Sequence, residues 1–280
     1  MLELVVAKDG SGDFDNIQEA LNAIPYNIEA TIYVCEGIYK EKLFSDKKDL
    51  SIIARGNVIV INSDFAREIM PDGLKRGTFR TYTAFFSGEK LYLENIAFHN
   101  ASGSGKDVGQ ALALYLDVEN AHLKNVTLKA NQDTLFISPL PDEEREKRGF
   151  YGPRCFTERK LSTLLYEGGY ISGSIDFIFG GGDAVFKSVE IESVDEGYVA
   201  APSGKKEGKG FLFDSCKFTS HIDKEEFVYL MRPWRDEGKA IFRNCTFGKH
   251  IHKAGFSPWH GREDKAYLST FSMENCTFLQ

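Results

Sequence analysis

A short pattern recurs along the second two thirds of this 280-residue chain and constrains its fold more than any other feature. Each copy has an apolar residue, any residue, then Asn, Ser or Gly, two further residues and a second apolar residue. The first members of the copies are 20 to 43 residues apart. Such a recurrence is the mark of a solenoid, in which each unit buries its apolar face only by stacking on its neighbours. The copies begin at Leu93, Leu123, Tyr166, Phe186, Phe213, Phe242 and Met273.

The repeated segments are short, rich in Val, Ile, Phe and Tyr, and separated by Gly, Ser and Asn, which favours strands over helices. If the strands stack in parallel, equivalent positions in successive coils lie about 4.8 Å apart. We therefore predict an all-β fold, a right-handed single-stranded parallel β-helix, forming a single domain over residues 1–280. The uneven spacing is expected, because loops leave the corners of the coils.

The N-terminus departs from this pattern. Residues 15–18 resemble a capping box. Apolar residues then recur at helical spacing until Pro25: Ile17, Ala20, Leu21 and Ile24. We predict a short capping helix that covers the first coil, where an open sheet edge would otherwise invite aggregation.

Charge and composition exclude several partners. A net charge of −7 lacks the basic footprint of nucleic-acid binders. No apolar run of about 18 residues is present, so no membrane span is predicted. No signal peptide is visible, which predicts a cytoplasmic protein, or a secreted one if a leader has been removed. We expect a monomer.

The five cysteines do not suggest a disulfide framework, since their number is odd in a mid-sized chain. Three of them share one position of the repeat, namely Cys216, Cys245 and Cys276. A metal or redox cluster is one interpretation. We favour an inward ladder of small apolar residues, because free Cys behaves as a buried hydrophobe.

Five polar residues stand in or at the ends of strand-like apolar runs. Because each coil of a β-helix passes over the same spot, these residues can converge on one face. They are Gln110 before ALAL, Gln132 and Asp133 before TLF, Asp176 in IDFIF and Arg232 in LMRPW. Taken singly, each also suits a structural role as a turn acid, a strand-edge amide or a corner arginine.

Together the five side chains would support acyl transfer. A carboxylate can attack a carbonyl and form an acyl-enzyme. A second carboxyl group, its pKa raised by burial and by a like charge, can protonate the leaving alkoxide and later deprotonate water. Amide N–H groups can hold the oxyanion, and a guanidinium can keep the nucleophile ionised. No G-x-S-x-G motif is present, and no histidine lies within these motifs.

The motifs resemble, in order and along nearly the whole chain, those of the pectin methylesterase (pectinesterase) family of carbohydrate esterases. The opening VVAKDGSGDFDNIQEALNAIP and EGIYKEKL, with Gly37, Tyr39 and Glu41, are similar to the family's first segments. DGLKRGTFRTYTAFF and IAFHNASG follow, and then QALAL, NQDTLF, GYISGSIDFIFG and LMRPW. Four of these motifs in order over about 125 residues make the resemblance specific.

The resemblance implies a right-handed parallel β-helix that hydrolyses methyl esters of galacturonate in pectin or methylated oligogalacturonides. Methanol is released without a metal or cofactor. It also implies that Asp176 is the nucleophile, that Asp133 is the general acid and base, and that Arg232 pairs with Asp176. Gln110 and Gln132 would line the oxyanion site. Aromatic residues would form the walls for the sugar rings: Trp234, Phe136, Phe179, Phe79 and Trp259.

Three features depart from the family's pattern. A charged insertion of about twenty residues, at about 138–160, follows QDTLF and could shorten or roof the cleft; its stretch 141–149 is interpreted as a solvated loop. Met231 replaces the glycine usual before RPW. Near the end, where the family often has a Gly-Trp pair, AGFSPW offers Phe256 and keeps only Trp259.

Other functions remain open at this stage. A β-helix glycosidase could use the same two aspartates, although it needs neither amide oxyanion donors nor an arginine-paired nucleophile. An esterase on another small ester or a thioester would use the same five residues. A non-catalytic carbohydrate-binding solenoid would lack one of the two acids, and both are present.

Overall fold

The computed structural model describes residues 1–279 and consists mainly of β-strands, all of whose pairings with one another are parallel. Two short α-helices and two 3₁₀ helices complete it. The helices are α1 (Ile17–Ala23), α2 (Gly105–Val108) and the 3₁₀ helices Thr78–Arg80 and Glu263–Leu268. The strands are β1 (Leu2–Val6), β2 (Ala30–Tyr39), β3 (Leu43–Ser45), β4 (Asp49–Asn62), β5 (Ala84–Asn100), β6 (Leu114–Lys124), β7 (Thr127–Lys129), β8 (Leu135–Ile137), β9 (Thr163–Glu167), β10 (Tyr170–Gly180), β11 (Asp183–Lys187), β12 (Glu190–Pro202), β13 (Phe211–Asp214), β14 (Lys217–Thr219), β15 (Val228–Met231), β16 (Lys239–Arg243), β17 (Thr246–Phe247), β18 (Thr270–Glu274) and β19 (Thr277–Phe278).

The strands stack into three parallel arrays, and the longer strands bend from one array into the next. The third array carries the residues considered below. Its register runs through the successive partners Leu43, Ala84, Leu114, Leu135, Ile178, Ala200, Met231 and Phe256. This arrangement is the predicted parallel β-helix.

The interior is filled by side chains that repeat at the same position in successive coils. Phe186, Phe213 and Phe242 stack almost face on face, with ring centroids 4.7 Å apart at each step. Next to this stack, Cys216 and Cys245 are buried, as the inward-ladder interpretation predicted. Each thiol contacts the backbone carbonyl of the coil before it, at 3.3 Å for Cys216 and 3.4 Å for Cys245.

The Asn, Ser or Gly of the repeat marks a backbone corner between the first and second arrays. All seven of these residues have positive φ, from 51° to 63°. Glycine adopts this left-handed conformation freely, and Asn tolerates it better than most residues. The repeat is therefore a signal for a turn of fixed geometry. The seven are Asn95, Asn125, Gly168, Ser188, Ser215, Asn244 and Asn275.

The predicted N-terminal helix is present as α1. Its N-cap is Asn16, whose side chain accepts from the Glu19 amide at 2.8 Å. The Glu41 carboxylate accepts from the free amides of Ile17 and Gln18, at 3.0 and 2.9 Å. Negative charge at this end is also favoured by the helix dipole. The predicted apolar face is buried in the same core as the first strands.

The segment between β8 and β9 contains the predicted insertion at 138–160 and holds no helix or strand. Its Arg154 forms an ion pair with the largely buried Asp117 at 2.5 Å, which ties the segment to the third array. That residues 1–280 form one domain stays a prediction, and Gln280 lies outside the described residues. None of the helices in residues 1–279 combines the length and the apolar character needed to cross a membrane.

Candidate active site

Asp133 and Asp176 occupy equivalent corners in neighbouring coils, where the chain enters the third array. Both have positive φ, 63° and 51°. The Asp133 amide donates to the carbonyl of Ile175, the residue before Asp176, at 3.1 Å. Since each acid stands two residues before a paired strand position, Leu135 and Ile178, their backbones are one coil spacing apart, about 4.8 Å. As predicted from the sequence, stacking of the coils brings the backbones of the two acids close together.

Arg232 holds Asp176 through two hydrogen bonds. Its Nε donates to Oδ1 at 2.8 Å and its Nη2 donates to Oδ2 at 2.6 Å. The guanidinium is in turn placed between two rings, Tyr198 at 3.9 Å and Trp259 at 4.4 Å from the centroids. The paired geometry fixes the plane of the Asp176 carboxylate, and the rings fix the plane of the guanidinium.

The two acids differ in their electrostatic surroundings, although each is only 8% exposed. Burial raises the pKa of Asp133 well above its usual value, and the charge of Asp176 raises it further, against the opposing effects of Arg232 and Gln132. The pKa of Asp176 is also raised by burial, but less than that of Asp133, because the hydrogen bonds and charge of Arg232 act to lower it. Asp176 is therefore the first of the pair to ionise, and Asp133 keeps its proton to higher pH.

An open cleft of about 340 Å³ surrounds this pair. Gln110 and Gln132 both line it, so all five polar residues predicted from the sequence lie in one place. The glutamine backbones are held by coil-to-coil hydrogen bonds: the carbonyl of Gln132 accepts from Ala111 at 3.0 Å, and that of Gln110 accepts from Ala66 at 2.9 Å. Phe79, Phe179, Trp234 and Trp259 form apolar parts of the wall.

Phe136 was also predicted to contact substrate, and this is wrong, because its side chain is fully buried and does not line the cleft. It belongs to an outward-facing aromatic ladder on the third array that the loops cover. Its ring lies 4.8 Å from Tyr115, 4.9 Å from Phe179 and 5.0 Å from Phe79. Phe136 thus supports two wall residues from beneath.

The 138–160 segment builds one wall of the cleft. Phe150 packs against Phe79 and Trp234, with centroids 5.9 and 6.0 Å apart. Arg145, Glu146 and Gly149 also face the cleft. The interpretation of 141–149 as merely a solvated loop is therefore wrong in part: most of its residues are exposed, but three of them line the site.

Comparison with known proteins places the chain in a family. The family model described as Pectinesterase matches residues 3–151 and 157–276. The chain belongs to the pectinesterase family.

Individual pectinesterases are similar over most of this chain. The chain is 29% identical to pectinesterase/pectinesterase inhibitor 18 of Arabidopsis thaliana over 274 residues, which cover 92% of the chain and 44% of that protein. It superposes on pectin methylesterase from carrot with a TM-score of 0.81 and 22% identity, covering 98% of this chain and 82% of the other. A pectin methylesterase in complex with a hexasaccharide gives a TM-score of 0.71 at 22% identity, covering 92% and 81%. These structures are right-handed parallel β-helices, which confirms the predicted fold and its hand.

The prediction of a cytoplasmic location is wrong. The relatives are plant and microbial pectinesterases, which are typically secreted to the cell wall. That prediction used the lack of a visible leader, and a chain that spans 44% of a relative's length gives no information on this point.

Two departures from the pectinesterase pattern turn out to be neighbours. Met231, in place of the usual glycine, is fully buried in the third array and forms a parallel bridge with Phe256. Phe256, the second departure, is partly buried against the same core. The two unusual apolar residues thus lie at paired positions in two successive coils, next to Arg232.

Sequence reasoning missed several residues of the site. Tyr198, which stacks on Arg232, is an outward-facing aromatic residue in β12, and no local pattern separates it from a surface tyrosine. Phe150, Arg145 and Arg235 lie in charged stretches that predict solvent exposure. The one sequence signal that this segment packs against the body of the protein is a pair of aromatic residues within a run of charges, Phe150 and Tyr151.

Proposed function

We propose that this chain hydrolyses methyl esters of galacturonate in methylated oligogalacturonides, through an acyl-enzyme on Asp176. The observation that carries the proposal is the two-point ion pair of Arg232 with Asp176, set one coil from a second buried acid of raised pKa. One acid is thereby prepared as an anion and the other as a proton donor. Membership of the pectinesterase family supports the choice of ester and sugar.

In the first half of the reaction an oxygen of Asp176 attacks the ester carbonyl. The negative charge that develops on the carbonyl oxygen is stabilised by N–H groups of Gln110 and Gln132, which line the same cleft. One such donor contributes roughly 3 kcal/mol to a transition state of this kind. The carbonyl re-forms as the bond to methoxide breaks, and methoxide takes the proton of Asp133 and leaves as methanol.

In the second half Asp133, now ionised, takes a proton from water. The hydroxide attacks the acyl carbonyl of the mixed anhydride, and the bond to Asp176 breaks. This releases galacturonic acid, which loses its proton to solvent to become galacturonate, and restores Asp176 as the carboxylate. The proton taken from water remains on Asp133, so both acids return to their starting states. Alternation of one group between acid and base requires a pKa near the working pH, a condition favoured by the raised pKa of Asp133.

The shape of the cleft favours short substrates. Its volume of about 340 Å³ is near the lower end for ligand sites. The aromatic walls offer flat apolar faces to sugar rings, above all Trp234, and the 138–160 segment closes one side. A short oligomer fits between these walls more readily than the middle of a long polymer. That the chain acts as a monomer stays a prediction.

Methanol release from methyl-esterified trigalacturonate and from polymeric pectin tests the proposal. We expect methanol from both and a higher kcat/KM per ester group on the trimer. New reducing ends should not form, which separates an esterase from a glycosidase using the same two acids. Unesterified trigalacturonate serves as the control substrate. Absence of methanol from every methyl ester, or reducing ends without methanol, would contradict the proposal.

A further inference from the structure

Helix α2 lies between the two glutamines of the cleft. Its first residue, Gly105, is buried and packs against Gln132 of the next coil. At its other end the C-cap residue, Gly109, directly precedes Gln110, and its amide donates to the Gly105 carbonyl at 2.9 Å. One short helical turn therefore relates the positions of the two glutamines.

The contact between Gly105 and Gln132 leaves no room for a side chain at position 105. A β-carbon on Gly105 would lie 2.8 Å from Cβ and 3.0 Å from Oε1 of Gln132, and 3.1 Å from Oδ1 of Asn131. Carbon atoms in van der Waals contact are about 3.5–4.0 Å apart. The backbone of Gly105 is helical, a conformation for which alanine is better suited than glycine. The close approach to Gln132 is thus what requires glycine here.

Hydrogen bonds hold α2 in this contact from two sides. The Gly105 amide donates to Oδ1 of Asn131 at 2.7 Å. The same oxygen accepts at 3.0 Å from the hydroxyl of Ser174, in the coil that carries Asp176. On the other side Arg67 donates from Nη1 to two backbone carbonyls of α2, at 2.5 and 3.0 Å. The Asn131 side chain therefore connects α2 to the coils of both acids.

We propose that Gly105 is a positioning residue for the reaction: it lets α2 pack directly on Gln132 and so fixes the separation of the Gln132 and Gln110 side-chain amides. This inference rests on the proposed function for the role of both glutamines as oxyanion donors. Such donors stabilise the developing charge when they are already aimed at the position of the oxyanion. A side chain at position 105 would force Gln132 to rotate, or would push α2 away together with Gln110. Either change alters the distance between the two donors.

The first test is the kinetics of Gly105→Ala on methyl-esterified trigalacturonate. We expect kcat to fall about 100-fold, the effect of misplacing a catalytic group by about 1 Å. KM should stay nearly unchanged, because the oxyanion contact is made only in the transition state. Asp107→Ala is the matched control: it places an alanine in the same helix at an exposed position outside the cleft, and it should keep the wild-type kcat. A wild-type kcat in Gly105→Ala, or a loss confined to KM, would overturn the inference.

A double-mutant cycle separates positioning from general damage to the fold. Gln132→Gly removes the side chain that Gly105 contacts, so adding Gly105→Ala to it should cause no further loss of kcat. Losses that multiply in the double variant would refute the inference. If Gly105→Ala does not fold, Asn131→Ala replaces it in the cycle, because it frees the Gly105 amide without adding an atom. Its kcat should fall about tenfold at unchanged KM, the effect of one lost hydrogen bond, and an unchanged kcat would overturn the inference.

The last test needs no catalysis and so separates this inference from the proposed function. Crystal structures of the wild type, Gly105→Ala and Asp107→Ala would give the separation of the Gln110 and Gln132 side-chain amides. We expect it to change by about 1 Å in Gly105→Ala only, the scale of misplacement that impairs catalysis. The same separation in all three proteins would refute the inference even if the wild type releases methanol. A changed separation in Gly105→Ala alone would support it even if no methanol is released.

Discussion

The corner between the first and second arrays and the corner that carries the two acids share one backbone conformation but differ in their side chains. In both places a residue with φ between 51° and 63° turns the chain. In both, its amide donates to the carbonyl just before the equivalent residue of the next coil: Asn125 to Glu167 at 2.9 Å, and Asp133 to Ile175 at 3.1 Å. The geometry of the turn is therefore the same, and the side chain is what differs.

At the repeat corners the non-glycine side chains are exposed, and residue type follows from what the backbone tolerates. At the acid corner the side chains of Asp133 and Asp176 are buried. There the turns place two acids in the lining of one cleft, on neighbouring coils. Strained backbone of this sort is found preferentially at functional sites. A left-handed position that carries a buried acid is thus distinct from the repeat corners, and this points to a functional role.

The largest expected effect is on turnover, when the aspartates of the acid corner are replaced by asparagine, the residue found at several repeat corners. Asp176→Asn and Asp133→Asn should each lower turnover by at least about 100-fold, because each removes a carboxyl group on which the proposed mechanism depends. Both variants should still fold, since Asn tolerates this conformation at Asn95 and Asn125. Methanol release would measure turnover, and circular dichroism would measure folding.

The control for this pair is Asp223→Asn, at an acid whose side chain is 89% exposed and does not line the cleft. Its turnover should stay at the wild-type value. Near-normal methanol release by either cleft variant would show that the roles assigned to the two acids are wrong.

The fold and most of the candidate site could be predicted from the sequence, because both depend on requirements that recur in every coil. The repeat can be recognised in the sequence because each of its positions restricts the residue type locally. The corner requires Asn, Ser or Gly, and the interior positions require an apolar residue such as Phe, Leu or Tyr. The convergence of Gln110, Asp133 and Arg232 was predictable too, since coil stacking converts order along the chain into position across a face. For the same reason, the fold followed from periodicity alone.

Contacts between loops and the outer face could not be predicted in this way. Phe136 and Phe179 are adjacent in one ladder and similar in sequence setting, and both are buried, yet only Phe179 reaches the cleft. What decides between them is how the 138–160 segment and Phe79 fold back over the array. That packing joins residues with no common period, so no pattern in the sequence reports it.

A medium effect, on stability alone, is expected at a repeat corner. Asn95 has φ of 58°, is exposed and lies outside the cleft. Asn95→Ala should lower the free energy of unfolding by about 1 kcal/mol, because a left-handed alanine is strained. Asn95→Gly should keep or slightly raise it, since glycine adopts this conformation freely. Denaturant unfolding measures both, and methanol release should be unchanged. Equal stability of the alanine and glycine variants would mean that the backbone does not select the corner residue.

The smallest effect concerns the pH dependence of stability at the acid corner. Burial raises the pKa of Asp133 in the folded protein, so the folded state binds this proton more tightly than the unfolded chain does. The resulting stabilisation is full below the ordinary pKa of Asp and is lost as pH rises through the raised value. Asp133→Asn should therefore unfold at a higher temperature than the wild type at neutral pH, and this advantage should shrink as the pH falls.

Asp176→Asn should unfold at a lower temperature than the wild type at neutral pH, because it leaves Arg232 without its partner. Thermal unfolding of the wild type and the two variants, from neutral pH down to the ordinary pKa of Asp, distinguishes the two acids without any substrate. Identical profiles of unfolding temperature against pH for the two variants would contradict the difference in charge state on which the proposed roles depend.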